Sequence, residues 1–133
     1  MKIELMWKKF NRMDEVIRGS EFGKACGVVY LLADSEGKPL YIGSSKCNPF
    51  YERYQGHDGI IDAALDGSDK HIFIAKINPE SSEEVEKFLI NKEWLSGKRL
   101  FNKKKFQNLN PKEIADLEIR HSGDKPNFSY ERS

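Results

Sequence analysis

The hydrophobic positions of this chain change their spacing along the sequence, and each spacing predicts a different element. In residues 3–18 the apolar positions recur at steps of four, three and four, at Met6, Phe10, Met13 and Ile17. That is the spacing of a single apolar stripe on an α-helix. We therefore predict an N-terminal helix, within a segment spanning residues 1–24, that packs on the core of the protein.

Two apolar runs follow, VVYLLA and PLYIG, and the turn residues of DSEGK separate them. Asp, Ser and Gly between β-rich runs are typical of a β-hairpin. If the loop has an even number of residues, Ala33 lies opposite Lys38 and Tyr30 lies opposite Tyr41, so that both tyrosines share one face. An odd loop would move one of them to the other face. On these two strands alone, the simplest interpretation is an aromatic pair that stabilises the sheet.

The second half of the chain carries a strand signal and then a helix signal. HIFIAKI, at residues 71–77, is rich in β-branched and aromatic side chains and predicts a third strand. Ser81 and Glu84 have the spacing of a capping box, and Gly97 is a suitable residue to end the helix that follows. The predicted core stripe of that helix is Val85, Phe88, Leu89 and Leu95.

Two Asn-Pro pairs begin two further predicted helices, because asparagine is a good N-cap and proline fits the first helical turn. One helix starts at Asn48 and runs towards His57, and the other covers residues 111–120. Residues 122–133 are predicted to form a mobile tail. The expected fold class is α+β, a small three-stranded antiparallel sheet flanked by helices.

The composition predicts a soluble globular chain, with 38% hydrophobic and 32% charged residues, and its length suits one domain. No apolar run approaches the ~20 residues that span a bilayer, and the N-terminus lacks the apolar centre of a signal peptide. Cys26 and Cys47 do not have the spacing of metal ligands. We therefore expect a reduced, cytoplasmic setting.

The net charge of only +1 argues against a surface that binds nucleic acid everywhere, although a few well-placed cations suffice for phosphate contacts. One segment, residues 98–112, carries a run of cations and no carboxylate: Lys98, Arg99, Lys103, Lys104, Lys105 and Lys112. Such a run is either a solvated surface or a local binding site for phosphate groups.

Residues of potential catalytic use occur in a fixed order along residues 25–102. They are Tyr30, Tyr41, Gly43, Arg53, His57, Glu86 and Asn102. This order resembles the GIY-YIG nuclease family. V-V-Y stands where the family has its first tripeptide, Y-I-G matches the second, and ten residues separate the two tyrosines, as is usual in the family. R-Y-Q-G-H, E-K-F-L-I and R-L-F-N look like the segments that carry the family's arginine with its histidine, its glutamate and its asparagine.

The sequence departs from the family pattern at three places. Val28 replaces the first glycine, which comes one residue earlier at Gly27. Ser44 and Ser45 follow Y-I-G where the excision-repair branch usually has a lysine, so the chain looks more like the phage homing and restriction-type branches. The segment before Arg53 is slightly longer than in some members.

The resemblance implies hydrolysis of phosphodiester bonds in DNA with one Mg²⁺ or Mn²⁺ ion. Glu86 would bind the metal, Tyr30 would act as general base or orient the water, and Tyr41 would hydrogen-bond to Tyr30 or to the phosphate. Arg53 would brace the phosphate, and His57 would relay a proton, bind phosphate or be a surface histidine; His71 is a weaker rival. Gly43 and Asn102 would have supporting roles. Glu83, Glu84 and Glu93 lie on the same helix as Glu86 and are better interpreted as a solvated face.

The cations near these residues are candidates for holding the DNA backbone; they are Lys46, Lys98, Arg99, Lys103, Lys104 and Lys105. Two other functions compete with the nuclease. One is a non-catalytic nucleic-acid-binding domain that kept the fold, and the other is a structural or protein-binding domain in which the tyrosines only pack. RNA is a possible alternative substrate, and cleavage of both DNA strands would need a dimer or two successive events.

Overall fold

The computed structural model describes residues 2–11, 27–45, 71–97, 100 and 117–131. In this part of the chain, five strands form one sheet of order β3-β2-β4-β1-β5. Their bounds are Lys2–Phe10 for β1, Val28–Ala33 for β2, Pro39–Ser45 for β3, His71–Lys76 for β4 and Glu118–Gly123 for β5. A 3₁₀ turn, Pro79–Ser81, leads into helix α1, Ser82–Leu95, and the C-terminal turn is Ser129–Glu131. No helix in the described ranges is long and apolar enough to cross a membrane.

The α+β class is confirmed, but the prediction of a three-stranded antiparallel sheet is wrong. The three predicted strands are present as β2, β3 and β4, and they pair antiparallel in the order β3-β2-β4. The sheet then continues, since β1 pairs antiparallel with β4 and β5 pairs parallel with β1. The result is a mixed sheet of five strands.

The predicted N-terminal helix is a strand over the residues that the structure describes. Leu5 and Trp7 are buried, whereas Met6 between them is 66% exposed. This is the two-residue alternation of a strand with one buried face. The helical stripe had relied on Met6 and Phe10, which share the outer face of β1, and their spacing of four fits a strand as well as a helix. Residues 12–20 lie outside the described residues.

The C-terminal segment is also not as predicted. Residues 118–120 belong to β5 instead of a helix, and the segment after β5 is packed against the protein instead of forming a mobile tail. Phe128 is only 1% exposed and belongs to the same buried cluster as Trp7. The aromatic side chains of this segment bury enough apolar surface to hold it in place. Residues 111–116 lie outside the described residues.

Helix α1 covers one face of the sheet over β2 and β3. Val85, Phe88 and Leu89 are buried against this face as predicted, in a cluster with Leu31 and Ile42 of the hairpin. The placement of Leu95 in the core stripe is wrong, because this last residue of α1 is 76% exposed.

The ends of α1 follow the sequence prediction only in part. The Ser81 side chain makes no capping hydrogen bond, so the predicted capping box does not form. Instead, the Asn78 carboxamide oxygen accepts from the Glu80 N–H at 3.0 Å at the start of the 3₁₀ turn. Gly97 directly after the C-cap has a φ of +87°, which confirms its role in ending the helix.

Candidate functional site

The turn of the hairpin has an odd number of residues. The Asp34 N–H donates to the Lys38 carbonyl and the Gly37 N–H donates to the Asp34 carbonyl, both at 3.0 Å. The loop therefore consists of residues 35–37, and Gly37 takes the left-handed conformation with a φ of +81°. The predicted pairing of Ala33 with Lys38 and of Tyr30 with Tyr41 is wrong for this reason.

A bulge one step from the turn restores the alternation of the side chains. Ala33 pairs with Pro39 and Leu32 pairs with Tyr41, so Leu40 is an extra residue in β3. After the bulge, Tyr30 pairs with Gly43, which places Tyr41 on the same face and diagonal to Tyr30. The ring centroids are 6.2 Å apart and the ring planes are inclined by 27°. The expectation of two tyrosines side by side is thus confirmed, through a different register.

Gly43 allows the Tyr30 ring to lie across β3. A Cβ atom built at Gly43 would overlap the Tyr30 ring and its hydroxyl oxygen. A larger residue at this position would therefore push the ring away from its place beside Tyr41. Both tyrosines are buried, with 2% of Tyr30 and 7% of Tyr41 exposed. The supporting role predicted for Gly43 has a direct physical basis here.

Glu86 joins the first turns of α1 to the hairpin. The Ser44 hydroxyl donates a hydrogen bond of 3.0 Å to the Glu86 carboxylate, directly after the Y-I-G segment. The other carboxylates of the helix are placed differently. Glu83 is exposed and pairs with Lys87 at 3.1 Å, and Glu84 is exposed. Glu93 is fully buried, so the expectation of a solvated position is wrong for Glu93 and right for Glu83 and Glu84.

The tyrosine pair and Glu86 lie on opposite sides of the sheet. Ile42 belongs to the cluster beneath α1, and Ser44, two residues on, faces the same side and bonds to Glu86. Tyr41 and Gly43 alternate with these residues and face the other side, as does Tyr30, which pairs with Gly43. The structure therefore brings the two tyrosines together but does not bring Glu86 to them among the residues it describes.

The donor atoms around Glu86 suit a hard cation. The described residues contain no group of three or more His, Cys, Asp or Glu side chains that could hold a metal ion. A half-buried carboxylate beside a serine hydroxyl still offers the kind of oxygen ligands that Mg²⁺ takes, because Mg²⁺ keeps most of its water and needs few protein ligands. The oxygen donors of Glu86 are therefore chemically suited to the metal-binding role predicted for this residue.

Of the remaining candidate site residues, His71 lies in the part of the chain that the structure describes and the others do not. His71 begins β4, pairs with Ala33 near the hairpin turn and contacts the Asn11 side chain through Nδ1 at 2.9 Å. It therefore lies at the turn end of the sheet, three register positions along the strands from Tyr30. The others lie outside the described residues: Arg53, His57, Asn102, Lys46, Lys98, Arg99, Lys103, Lys104 and Lys105.

A second polar cluster, which the sequence did not indicate, lies where the C-terminal segment packs on the sheet. The Trp7 indole N–H donates to His121 Nδ1 at 2.9 Å. Because the indole only donates, the proton of the neutral imidazole is on Nε2 and points to the Tyr130 oxygen at 2.6 Å. Burial lowers the pKa of His121 from 6.5 to about 4, with a further contribution from the charge of Lys125. We call Trp7, His121 and Tyr130 the His121 cluster.

The buried carboxylate of Glu93 holds the C-terminal turn beside the His121 cluster. Its two oxygens accept from the main-chain N–H groups of Ser129 at 2.9 Å and Tyr130 at 3.1 Å. Burial is the main cause that raises the pKa of Tyr130, and the charges of Glu131 and Glu93 add to it. The Tyr130 hydroxyl therefore keeps its proton at neutral pH. The aromatic residues of the C-terminal segment, Phe128 and Tyr130, are the sequence signal that could have revealed this contact, although the segment was predicted to be a mobile tail.

In comparisons with known proteins, no protein-family model, no curated protein and no solved structure matches this chain.

Proposed function

We propose that this protein is a metal-dependent endonuclease that hydrolyses phosphodiester bonds in DNA, with one Mg²⁺ or Mn²⁺ ion. The observation that carries the proposal is the stacked pair of Tyr30 and Tyr41, with Gly43 beneath the first ring. These residues are the ones that resemble the two tripeptides of the GIY-YIG nucleases. The link from Ser44 to Glu86 supports the proposal further, because it ties the helix with the predicted metal ligand to this hairpin.

Glu86 is the residue that would hold the metal ion, and the Ser44 hydroxyl would orient its carboxylate. When bound, the ion supplies positive charge that polarises the phosphate and activates a water molecule. A carboxylate fixed by a hydrogen bond at 3.0 Å loses less conformational freedom when it binds an ion than a solvated one does. This favours Glu86 over Glu83 and Glu84, whose side chains are exposed.

Tyr30 would act as general base or orient the attacking water, and Tyr41 would hydrogen-bond to Tyr30 or to the phosphate. An ordinary phenol has a pKa near ~10, so a neighbouring cation must stabilise its deprotonated form at neutral pH. By resemblance that cation is Arg53, with His57 close by, and both lie outside the described residues. The hairpin contributes rigidity, because the ring of Tyr30 is confined between Gly43 and Tyr41.

The buried position of the tyrosines favours the non-catalytic alternatives. Tyr30 and Tyr41 are buried on the side of the sheet opposite Glu86, which is the arrangement expected of tyrosines that only pack. The second candidate is therefore a non-catalytic nucleic-acid-binding domain, in which basic residues such as Lys103, Lys104 and Lys105 would bind phosphate and the chain would cleave nothing. A structural or protein-binding domain would have no affinity for phosphate.

A plasmid-nicking assay separates the two candidates. Supercoiled DNA is incubated with the wild type, with Glu86→Gln and with the matched control Glu84→Gln, in Mg²⁺, in Mn²⁺ and with EDTA. Nicking that EDTA abolishes, that Glu86→Gln loses and that Glu84→Gln keeps supports the nuclease. Equal nicking by all three proteins contradicts the assignment of Glu86. Absence of nicking together with DNA binding in a mobility-shift assay favours the second candidate.

DNA binding by the basic segment has its own test. Reversing the charges of Lys103, Lys104 and Lys105 is expected to weaken DNA binding and to flatten its dependence on salt, because each phosphate contact releases counterions. An unchanged affinity and salt slope would remove this segment from the DNA-binding surface.

A further inference from the structure

In the part of the chain that the structure describes, strand β5 is an edge of the sheet. It lies last in the strand order, and among the described residues it pairs only with β1. The opposite edge strand, β3, is almost wholly buried and begins with a proline, whereas Glu118, Arg120 and Gly123 of β5 are exposed. An edge strand with free main-chain groups is a place where another strand can add.

The main chain of Ile119 points outward from this edge. The Asp124 N–H donates to the Trp7 carbonyl at 3.0 Å, which continues the parallel ladder of β5 with β1. In a parallel ladder, alternate residues direct both main-chain polar groups to the same neighbour. Even-numbered residues of β5 therefore bond to β1, and the N–H and C=O of Ile119 are directed away from it.

The exposed charges along β5 complement a second copy of the same strand. Glu118 and Arg120 lie on the exposed face, where they pair in the sheet with Lys2 and Glu4 of β1. If two β5 strands run antiparallel with Ile119 opposite Ile119 of the other copy, Glu118 of each copy faces Arg120 of the other. A shift of two residues either way would instead oppose Glu118 with Glu118, or Arg120 with Arg120. The charges thus favour one register of self-pairing.

We propose that the protein forms a two-fold symmetric dimer through antiparallel pairing of β5 with β5 of a second copy, centred on Ile119. On the exposed face, each row of side chains across the four central strands then alternates in charge. One row consists of Lys2 and Glu118 of one copy followed by Arg120 and Glu4 of the other, and the symmetry gives a second, identical row. Because both copies use the same surface, the interface is closed and stops at two chains. The inference does not depend on the nuclease activity, although a dimer would carry two sites for the two DNA strands.

Charge reversal tests the dimer and its register. The mass in solution is measured by sedimentation over a concentration series for the wild type, Glu118→Arg and Arg120→Glu. Each single reversal places like charges opposite each other at both ends of the interface, and the dimer dissociation constant is expected to rise about tenfold or more. Lys2→Glu is the matched control, because it puts a like charge beside Glu118 within one chain and does not face the partner. This control is expected to remain dimeric.

Two rescue experiments distinguish pairing from a simple loss of stability. The double variant Glu118→Arg/Arg120→Glu exchanges the charges and is expected to dimerise like the wild type. A mixture of the two single variants is expected to form heterodimers, since one chain then presents only arginine and the other only glutamate. Circular dichroism of each variant is used to check that it is folded.

Three results would overturn the proposal. They are a wild type that is monomeric at every concentration, a dimer that single reversal leaves intact, and a mixture that fails to associate. If the wild type associates through another surface, single charge reversal will leave the dimer intact. If β5 pairs with a different protein instead, the wild type will be monomeric at every concentration.

Discussion

Acidification is expected to weaken the attachment of the C-terminal segment through a single residue, His121. Its Nδ1 accepts the Trp7 indole N–H at 2.9 Å, so a proton added there would displace that hydrogen bond in a buried site. The pKa of His121 is lowered from 6.5 to about 4, which means that the folded state favours the neutral form. The stabilisation is fully present above pH ~6.5, the unfolded value, and is lost as the pH falls towards 4.

The size of the effect follows from these two pKa values. Linkage predicts a loss of about 2 kcal/mol in the free energy of unfolding between pH 7 and pH 5, and about 3 kcal/mol by pH 4. Between pH 7 and pH 5 ordinary carboxyl groups, with pKa values near ~4, remain mostly ionised and contribute little to the loss, so the His121 variant below identifies the share of this histidine.

Urea denaturation at pH 7, 6 and 5, followed by tryptophan fluorescence, measures this loss. His121→Gln removes the titrating group and is expected to show a much weaker dependence on pH. His71→Gln is the matched control, which leaves the His121 cluster intact and is expected to lose as much stability as the wild type. If His121→Gln and the wild type lose the same free energy of unfolding between pH 7 and pH 5, His121 is not the group that makes stability depend on pH.

Three further changes probe the hairpin and the C-terminal turn, each by denaturant unfolding. Gly43→Ala is expected to cost about 1–3 kcal/mol because its Cβ overlaps the Tyr30 ring; a smaller cost in a Tyr30→Ala background would support this cause, and an equal cost would oppose it. Ser44→Ala is expected to cost about 1 kcal/mol, and full additivity with Glu86→Gln in a double-mutant cycle would contradict the hydrogen bond between them. Glu93→Gln leaves one N–H of the C-terminal turn without its carboxylate acceptor and is expected to cost about 1–3 kcal/mol, with faster hydrogen exchange in that turn; unchanged exchange would argue against this anchor.

The elements that local signals specify were predictable from the sequence. The two hairpin strands, β4 and α1 all carry dense apolar patterns, and turn or capping residues bound them. The pairing of β2 with β3 follows from the hairpin, and the burial of β2 on both faces fits its place between β3 and β4.

Strands β1 and β5 were missed because their pairing is not local. Trp7 and Gly123 are register partners, yet they come from opposite ends of the chain. In β1, Met6 and Phe10 gave a helical spacing while Leu5 and Trp7 gave the alternation of a strand, and only the sheet decides between the two patterns. The partner of β1 therefore determined its structure, as a tertiary contact overrides local preference.

The tyrosine pair was predicted for an incomplete reason. An even loop was the condition under which both tyrosines share a face, whereas the hairpin has an odd loop and a bulge at Leu40, whose effects on the alternation cancel. The side of the sheet on which Glu86 lies was not predictable in the same way. Spacing along the chain does not determine which face α1 covers, and that choice depends on the packing of Val85, Phe88 and Leu89.

The most direct test of the proposed function removes only the phenol hydroxyls of the hairpin. Tyr30→Phe and Tyr41→Phe keep the rings that pack beside each other, and Tyr130→Phe is a matched control in the C-terminal turn. We expect the metal-dependent nicking rate of Tyr30→Phe to fall by about 100-fold or more, with an unchanged melting temperature, while Tyr130→Phe still nicks DNA. If Tyr30→Phe and Tyr41→Phe nick DNA at the wild-type rate, the phenol hydroxyls take no part in cleavage and the tyrosines are only a packing pair.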